Sequence, residues 1–439
     1  AGPPLEFAQQ VWEVRRDKQR SHRCEPARLR RRRPFCREPG SVVAVARSSM
    51  TDDFVPLTLD AYARNALRAD QRSDAGSLTL PLLGLFGETG SLLAEVKKKQ
   101  RDRASYRGYA SAVVEELGDV LWYLTVVADR RGISLRDLAT RANLSASRYV
   151  AADAALTFAD LQPAVIKASA EPSAEFAGTL LKLAGEVGLV IADHQAGHFE
   201  SDRLALAERL MSVMRRLVDA ANEAGVTLEA AAVKNIAKIS DRWPHTRTYP
   251  ELFDDERVPE EQLPRALTVD VFEREVRGNV FVYQRCNGVN IGDRLTDNAA
   301  VADDYRFHDV LHFAYVAILG WSPVVRALLR LKRKSDPMLD EVEDGARAAL
   351  SEEGVTAWIF GQANDLDLFA GKSPGDLPFR PLKQVKQFVT GFEVESRPLW
   401  QWEEAILSGY AAFRFLRAHR RARIRIDMVN HRLDVGPLP

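Results

Sequence analysis

The chain has 439 residues, with 61 basic and 61 acidic side chains and a formal net charge of zero. No whole-molecule field is available to recruit nucleic acid or an anionic membrane, and no apolar run approaches the eighteen or so residues of a spanning helix. Cys24, Cys36 and Cys286 lack metal-ligand spacing and imply no disulfide framework, which fits a reducing, cytoplasmic location. The length suggests about three domains.

Residues 1–50 carry Arg15, Arg16 and the run Arg30 to Arg33 among prolines, with little apolar periodicity. Glu6, Glu13, Asp17 and Glu25 interrupt the basic charge that a targeting peptide or a nucleic-acid arm would need. A disordered basic leader is expected there, with Met50 reading as a natural start.

Residues 51–150 are helical in pattern, from a plausible N-cap at Thr58 through breaks near Asp74–Ser77, Ser105–Gly108 and Gly132. Four helices in so short a stretch predict an antiparallel bundle. Two of them carry carboxylates. Glu88 and Glu95 are seven residues apart, which returns them to nearly one face. Glu116 and Asp119, three apart, are neighbours on the next helix. They lie beside the apolar stripe of Val113, Leu117, Val120, Leu121, Leu124 and Val127, where a purely solvated acidic face is out of place. If the helices pack antiparallel, the acids converge on an oxygen-only site suited to magnesium or manganese. Lys97, Lys98 and Arg101 follow at once and offer charge to a polyphosphate.

The stretch from Gly87 to Asp119 resembles the MazG-like all-α nucleoside triphosphate pyrophosphohydrolases, whose signature is Glu-x-x-Glu, a spacer, then Glu-x-x-Asp. Glu88, Glu116 and Asp119 match, and GISLRDLATRAN is similar to the family's continuation. Ser91 stands where the second glutamate belongs, with Glu95 one turn further as a substitute.

A second helical block, residues 171–245, reads as a degenerate copy. LAGEVGLVIADHQ parallels LFGETGSLLAEVK, and aligning Gly225 with Gly132 places Arg209 and Ser212 opposite Glu116 and Asp119. This copy keeps the family's Asn-x-x-Lys-x-x-x-Arg ending through Asn235, Lys238 and Arg242; the first copy has Asn143 but Ala146 for the lysine, with Arg148 two residues early. Family members generally dimerise, so the resemblance implies a homodimer or an internal pseudo-dimer in which Lys238 and Arg242 reach substrate phosphate.

Residues 259–435 form a third, α-rich domain with no family resemblance of its own. VFVYQ and VNIGDRL flanking Asn287-Gly288 predict a small β-hairpin. His308 and His312 are four apart with Asp309 between them, and a later helix brings Glu341, Glu343, Asp344, Glu352 and Glu353. Such a pair can bind a transition metal, although a core or interface histidine pair is the plainer reading. Arg326, Arg330, Lys332, Arg333 and Lys334 suggest a basic strip, for nucleotide or simply for solvent.

The fold expected is therefore mainly α: an antiparallel helical bundle, a degenerate tandem copy, and a mostly helical C-terminal domain. The resemblance implies hydrolysis of a ribo- or deoxyribonucleoside triphosphate to monophosphate and pyrophosphate. Glu88, Glu116 and Asp119 would hold Mg2+ (or Mn2+), and Glu95 or Glu115 would serve as base. Trp122 and Tyr123 are candidates to stack the nucleobase. The rival expectations are a nucleotide-binding scaffold that has lost turnover, or a separate activity in the C-terminal domain.

Overall fold

The structure, a computed structural model, describes residues 56–70, 77–142, 155–162, 171–200 and 202–438. The expected leader at 1–50 and positions 143, 146 and 148 lie outside these residues.

Thr58 caps α1 (Leu59–Ala66), its hydroxyl accepting from Ala61 N. The long helices α2 (Thr79–Asp102) and α3 (Tyr109–Asp129) form a hairpin, followed by α4 (Leu135–Ala142). The second block repeats the order: α5 (Phe158–Leu161), α6 (Ala174–Gln195), α7 (Arg203–Ala224) and α8 (Leu228–Arg242). Its helix ends match those of the first. Gly132 after α3 has φ 64° and Gly225 after α7 has φ 66°, a left-handed conformation that favours glycine. The next residue in each case, Ile133 or Val226, donates its N–H to the carbonyl of Ala128 or Ala221 at 2.9 Å. The alignment of Gly225 with Gly132 is thus a structural correspondence too.

Contacts between the blocks are reciprocal. Helix α3 packs on α8 as α7 packs on α4, α1 on α8 as α5 on α4, and α2 meets α6. Thr58 and Thr157, which precede α1 and α5, form an antiparallel bridge across the middle. One apolar core runs through both blocks, including Leu85, Leu92, Leu117 and Leu124 from the first and Leu183, Val187, Leu210 and Leu217 from the second.

The C-terminal part has a core of its own, in which Tyr249, Leu252 and Phe253 of the connector take part. The expected hairpin at Asn287-Gly288 is the outer corner of a larger sheet. Strands β1 (Ala266–Val276), β2 (Asn279–Cys286), β3 (Val289–Leu295), β4 (Arg421–Asp427) and β5 (Arg432–Gly436) pair antiparallel in the order β3-β2-β1-β4-β5. Against it pack α9 (Asp309–Ala314), which widens into a π turn at Tyr315–Leu319, α10 (Pro323–Leu329) and the buried α14 (Leu399–His419), while α11 (Pro337–Val342), α12 (Ala346–Asn364) and α13 (Phe379–Phe388) pack on those helices and on one another.

The suggested basic strip is not one surface. Arg326 is buried on Asp254 at 2.6 Å, and Arg333 is buried between Asp344 and Glu393 at 2.8 and 2.7 Å. Those two guanidinium groups are fixed inside the domain, where an unpaired charge would be costly. No single helix among the described residues is long and apolar enough to cross a membrane.

Candidate functional site

Helix α3 packs on both α2 and α8, and it approaches α8 closely because it carries Gly118 at the crossing. A Cβ there would lie 2.6 Å from the Ala231 carbonyl oxygen of α8, so any larger residue would push the helices apart. The next residue, Asp119, therefore reaches α8 directly: Asn235 donates to its Oδ1 at 3.0 Å and Lys238 to its Oδ2 at 2.6 Å. Tyr62 of α1 donates its hydroxyl to Asn235 Oδ1 at 3.2 Å and orients that amide. Asn235 carries no charge, and in the sequence only the motif's spacing marks it; its importance rests on this long-range contact.

Glu88 of α2 and Glu116 and Asp119 of α3 come together, each offering an oxygen within 4.8 Å of the others. Burial first, then the charges of Glu88, Asp119 and Glu115, raise the Glu116 pKa to about 7. Glu88 is raised too, by burial and by Asp119, against the pull of Lys238. One oxygen, Glu116 Oε2, is buried with no hydrogen-bond partner. A half-buried trio of carboxylates with an orphaned oxygen retains a proton when no cation is near and suits a hard divalent cation that can replace it. Ser91, at the missing glutamate position, hydrogen-bonds Glu88 instead of adding a fourth acid.

The other expected site residues separate into two groups. Glu95 lies outside the trio; its carboxylate accepts from the Tyr106 hydroxyl and pairs with Lys98. Lys97, Lys98 and Arg101 do not line the cleft beside the trio, and Arg101 turns to its neighbour Asp102 at 2.7 Å. These cations sit on the part of α2 that runs beyond the site. The buried cation of that run is Lys99, which donates to the Arg103 carbonyl at 2.9 Å and helps to close the helix end.

Glu115 is ringed by lysines, with Lys383 at 2.8 Å, Lys238 at 3.4 Å and Lys234 at 3.8 Å. Burial would raise its pKa, but these cations hold it below the ordinary value. Arg242 is buried, donates to the carbonyls of Leu377 and Gly375, and lies over the Trp243 ring. It binds a C-terminal segment to α8, and burial lowers its pKa.

A cleft of about 620 Å3 opens beside the trio. Glu88, Asp119, Lys238 and Arg242 are among its polar lining, Trp122 and Tyr123 line it with aromatic rings, and residues 375–379 form a further wall next to α8. That last wall belongs to the C-terminal domain. Lys238 lies 5.0 Å from the centroid of the Phe379 ring. Nothing local in the sequence marks residues 375–379 as part of a site. The volume suits a nucleotide-sized ligand.

The corresponding place in the second block has no acidic trio. Arg209, opposite Glu116, pairs with Asp193 at 2.6 Å, and Ser212 bonds back to the Glu208 carbonyl. Asp193 aligns with Glu95. An ion pair within the chain takes the position that carboxylates hold in the first block.

No curated protein and no solved structure matches the chain. Residues 248–439 match the family described as the MazG C-terminal domain. The region read as having no family resemblance is thus the one that this match covers, and its lower limit takes in most of the connector. Together with the acidic helices upstream, it supports a MazG-like family for this chain.

Proposed function

We propose that the chain is a magnesium-dependent nucleoside triphosphate pyrophosphohydrolase, releasing a nucleoside monophosphate and pyrophosphate in the cytoplasm. The observation that carries this reading is the convergence of Glu88, Glu116 and Asp119, with one buried oxygen unpartnered, at the edge of a nucleotide-sized cleft. Manganese fits the same oxygens. The ion, when bound, supplies charge neutralisation on phosphate oxygens and acidification of a water.

The chain's own groups do the positioning. Lys238 and Asn235 hold Asp119 and set its direction, and Lys238 is the cation best placed to meet a phosphate entering the cleft. Trp122, Tyr123 and Phe379 offer faces to a nucleobase. Glu115, its charge fixed by lysines, is a poor proton acceptor. Glu95 remains the better of the two acids for that task and is held by Tyr106. The reciprocal packing of the blocks supports an internal pseudo-dimer, acids from one copy and cations from the other.

The test is pyrophosphate release from a panel of ribo- and deoxyribonucleoside triphosphates, with magnesium and with EDTA. Monophosphate and pyrophosphate in equal amounts, only with the metal, are expected. Orthophosphate as the product would refute the reading. Ser91 motivates one alternative, nucleotide binding without turnover. It would show as a nucleotide-dependent rise in melting temperature with no product.

A further inference from the structure

Away from the cleft, the C-terminal domain buries a second set of ligand atoms. His308 and His312 are four residues apart, so their rings project from one side of the helix. His308, Asp309 and His312 each offer an atom within 4.8 Å of the others. Glu353 of α12 faces them, its Oε2 lying 3.6 Å from His308 Nε2 and 3.5 Å from His312 Nε2. His308 Nε2 is also 3.0 Å from Asp309 Oδ1.

The partners on the far side of each ring fix which nitrogen faces inward. His308 Nδ1 lies 2.8 Å from the Tyr305 carbonyl, which can only accept, so Nδ1 carries a proton. His312 Nδ1 lies 2.7 Å from Glu352 Oε1. Glu352 also accepts from Ser322 Oγ at 2.6 Å and Val324 N at 2.9 Å, so it too acts as an acceptor and places the proton on Nδ1. Nε2 is then the nitrogen that each ring turns to the shared centre, the atom a metal would take. Asp309 is oriented in the same way, Gln284 of β2 donating to its Oδ2 and leaving Oδ1 toward His308.

His312 is fully buried, and its Nε2 has no hydrogen-bond partner, the nearest carboxylate oxygen being Glu353 Oε2 at 3.5 Å. Two imidazole Nε2 atoms and two carboxylates face one centre, and His308, His312 and Asp309 are each braced from behind, by a carbonyl, a carboxylate and an amide, as the ligands of a metal are. A histidine pair that served only to pack a core would not need both inner nitrogens turned to the same point.

We propose that His308, Asp309, His312 and Glu353 bind a divalent first-row transition metal. The chemistry is that of a mixed imidazole–carboxylate site, for which zinc is a suitable probe, and it differs from the oxygen-only trio that favours magnesium. One side stays accessible. A cleft of about 340 Å3 reaches His308, Asp309 and Glu353 past Tyr305 and Val324, so a further ligand can enter.

The experiment uses the full chain, freed of metal and titrated with zinc in excess magnesium, with cobalt(II) absorption as an independent reading. One zinc per chain is expected, and cobalt should give d–d bands of an imidazole-containing site. His308→Gln and Glu353→Gln should each weaken zinc at least about tenfold, while Glu116→Gln leaves it unchanged. Glu353 has a side chain 42% exposed, so its substitution tests binding with little risk to the fold, which circular dichroism checks. Uptake that survives both substitutions, uptake lost only in Glu116→Gln, or no uptake by the unsubstituted chain would each overturn the proposal. Nucleotide hydrolysis does not enter the measurement.

Discussion

Glu116→Gln keeps the shape of a side chain that sits against two other carboxylates and takes away its charge. Burial and the charges of Glu88, Asp119 and Glu115 lift the Glu116 pKa from 4.5 to about 7 in the folded, metal-free protein. Between those values the folded state keeps a proton that the unfolded chain has released, so stability falls as the pH rises through this window. The penalty is absent below pH 4.5 and complete above pH 7. At 1.36 kcal/mol per pKa unit it is at most about 3 kcal/mol, and screening in a half-buried site brings it to roughly 1 to 2 kcal/mol.

Thermal unfolding in EDTA at pH 8 should therefore show the glutamine variant more stable than the parent, by about 2 to 6 °C for a domain of this size. At pH 4.5 the difference should vanish. Magnesium at pH 8 should raise the melting temperature of the parent far more than that of the variant, while pyrophosphate release is lost from the variant. A variant less stable than the parent at pH 8 without metal, or one equally stabilised by magnesium, would refute the electrostatic account of this site.

Lys238→Ala should raise the Michaelis constant for nucleotide about tenfold or more while leaving the magnesium requirement equal or lower, since a cation that competes for Asp119 is gone; a higher magnesium requirement would show that the lysine organises the acids. Gly118→Val should separate α3 from α8 and cost about 1 to 3 kcal/mol, read as a lower urea midpoint together with lost activity; an unchanged midpoint would contradict the close approach at Ala231. Ser91→Glu should lower the magnesium concentration for half-maximal rate by adding a fourth carboxylate, and an increase would mean that its hydroxyl on Glu88 matters more.

Glu116 and Asp119 were legible because helical periodicity places them beside the buried stripe of their helix, and Glu88 because it matches the acidic motif; the hairpin of α2 and α3 then brings the three together. Lys97, Lys98 and Arg101 show what periodicity omits. Their charge and proximity in sequence suggested phosphate contact, but the direction of side chains near a helix end depends on what packs there. Arg242 matched a motif and lines the cleft, but its hold on the C-terminal segment was not legible, because the carbonyls of Gly375 and Leu377 that accept its hydrogen bonds are distant in sequence. The hairpin at Asn287-Gly288 is written in its turn residues. By contrast, β4 and β5 follow a long helix and join the sheet only through β1.

Among the described residues, the mirrored halves of the helical region carry one trio of acids, not two, and the matching place in the other half is occupied by Arg209 and Asp193. In an assembly of identical subunits every change is imposed on both sites at once. The internal pseudo-dimer proposed above removes that constraint, so the acids of α3 and the cation of α8 can each vary without an obligatory twin. The reckoning per chain follows: nucleotide binding at the cleft should saturate at one molecule, with a Hill coefficient of one, whatever the symmetry of the scaffold around it.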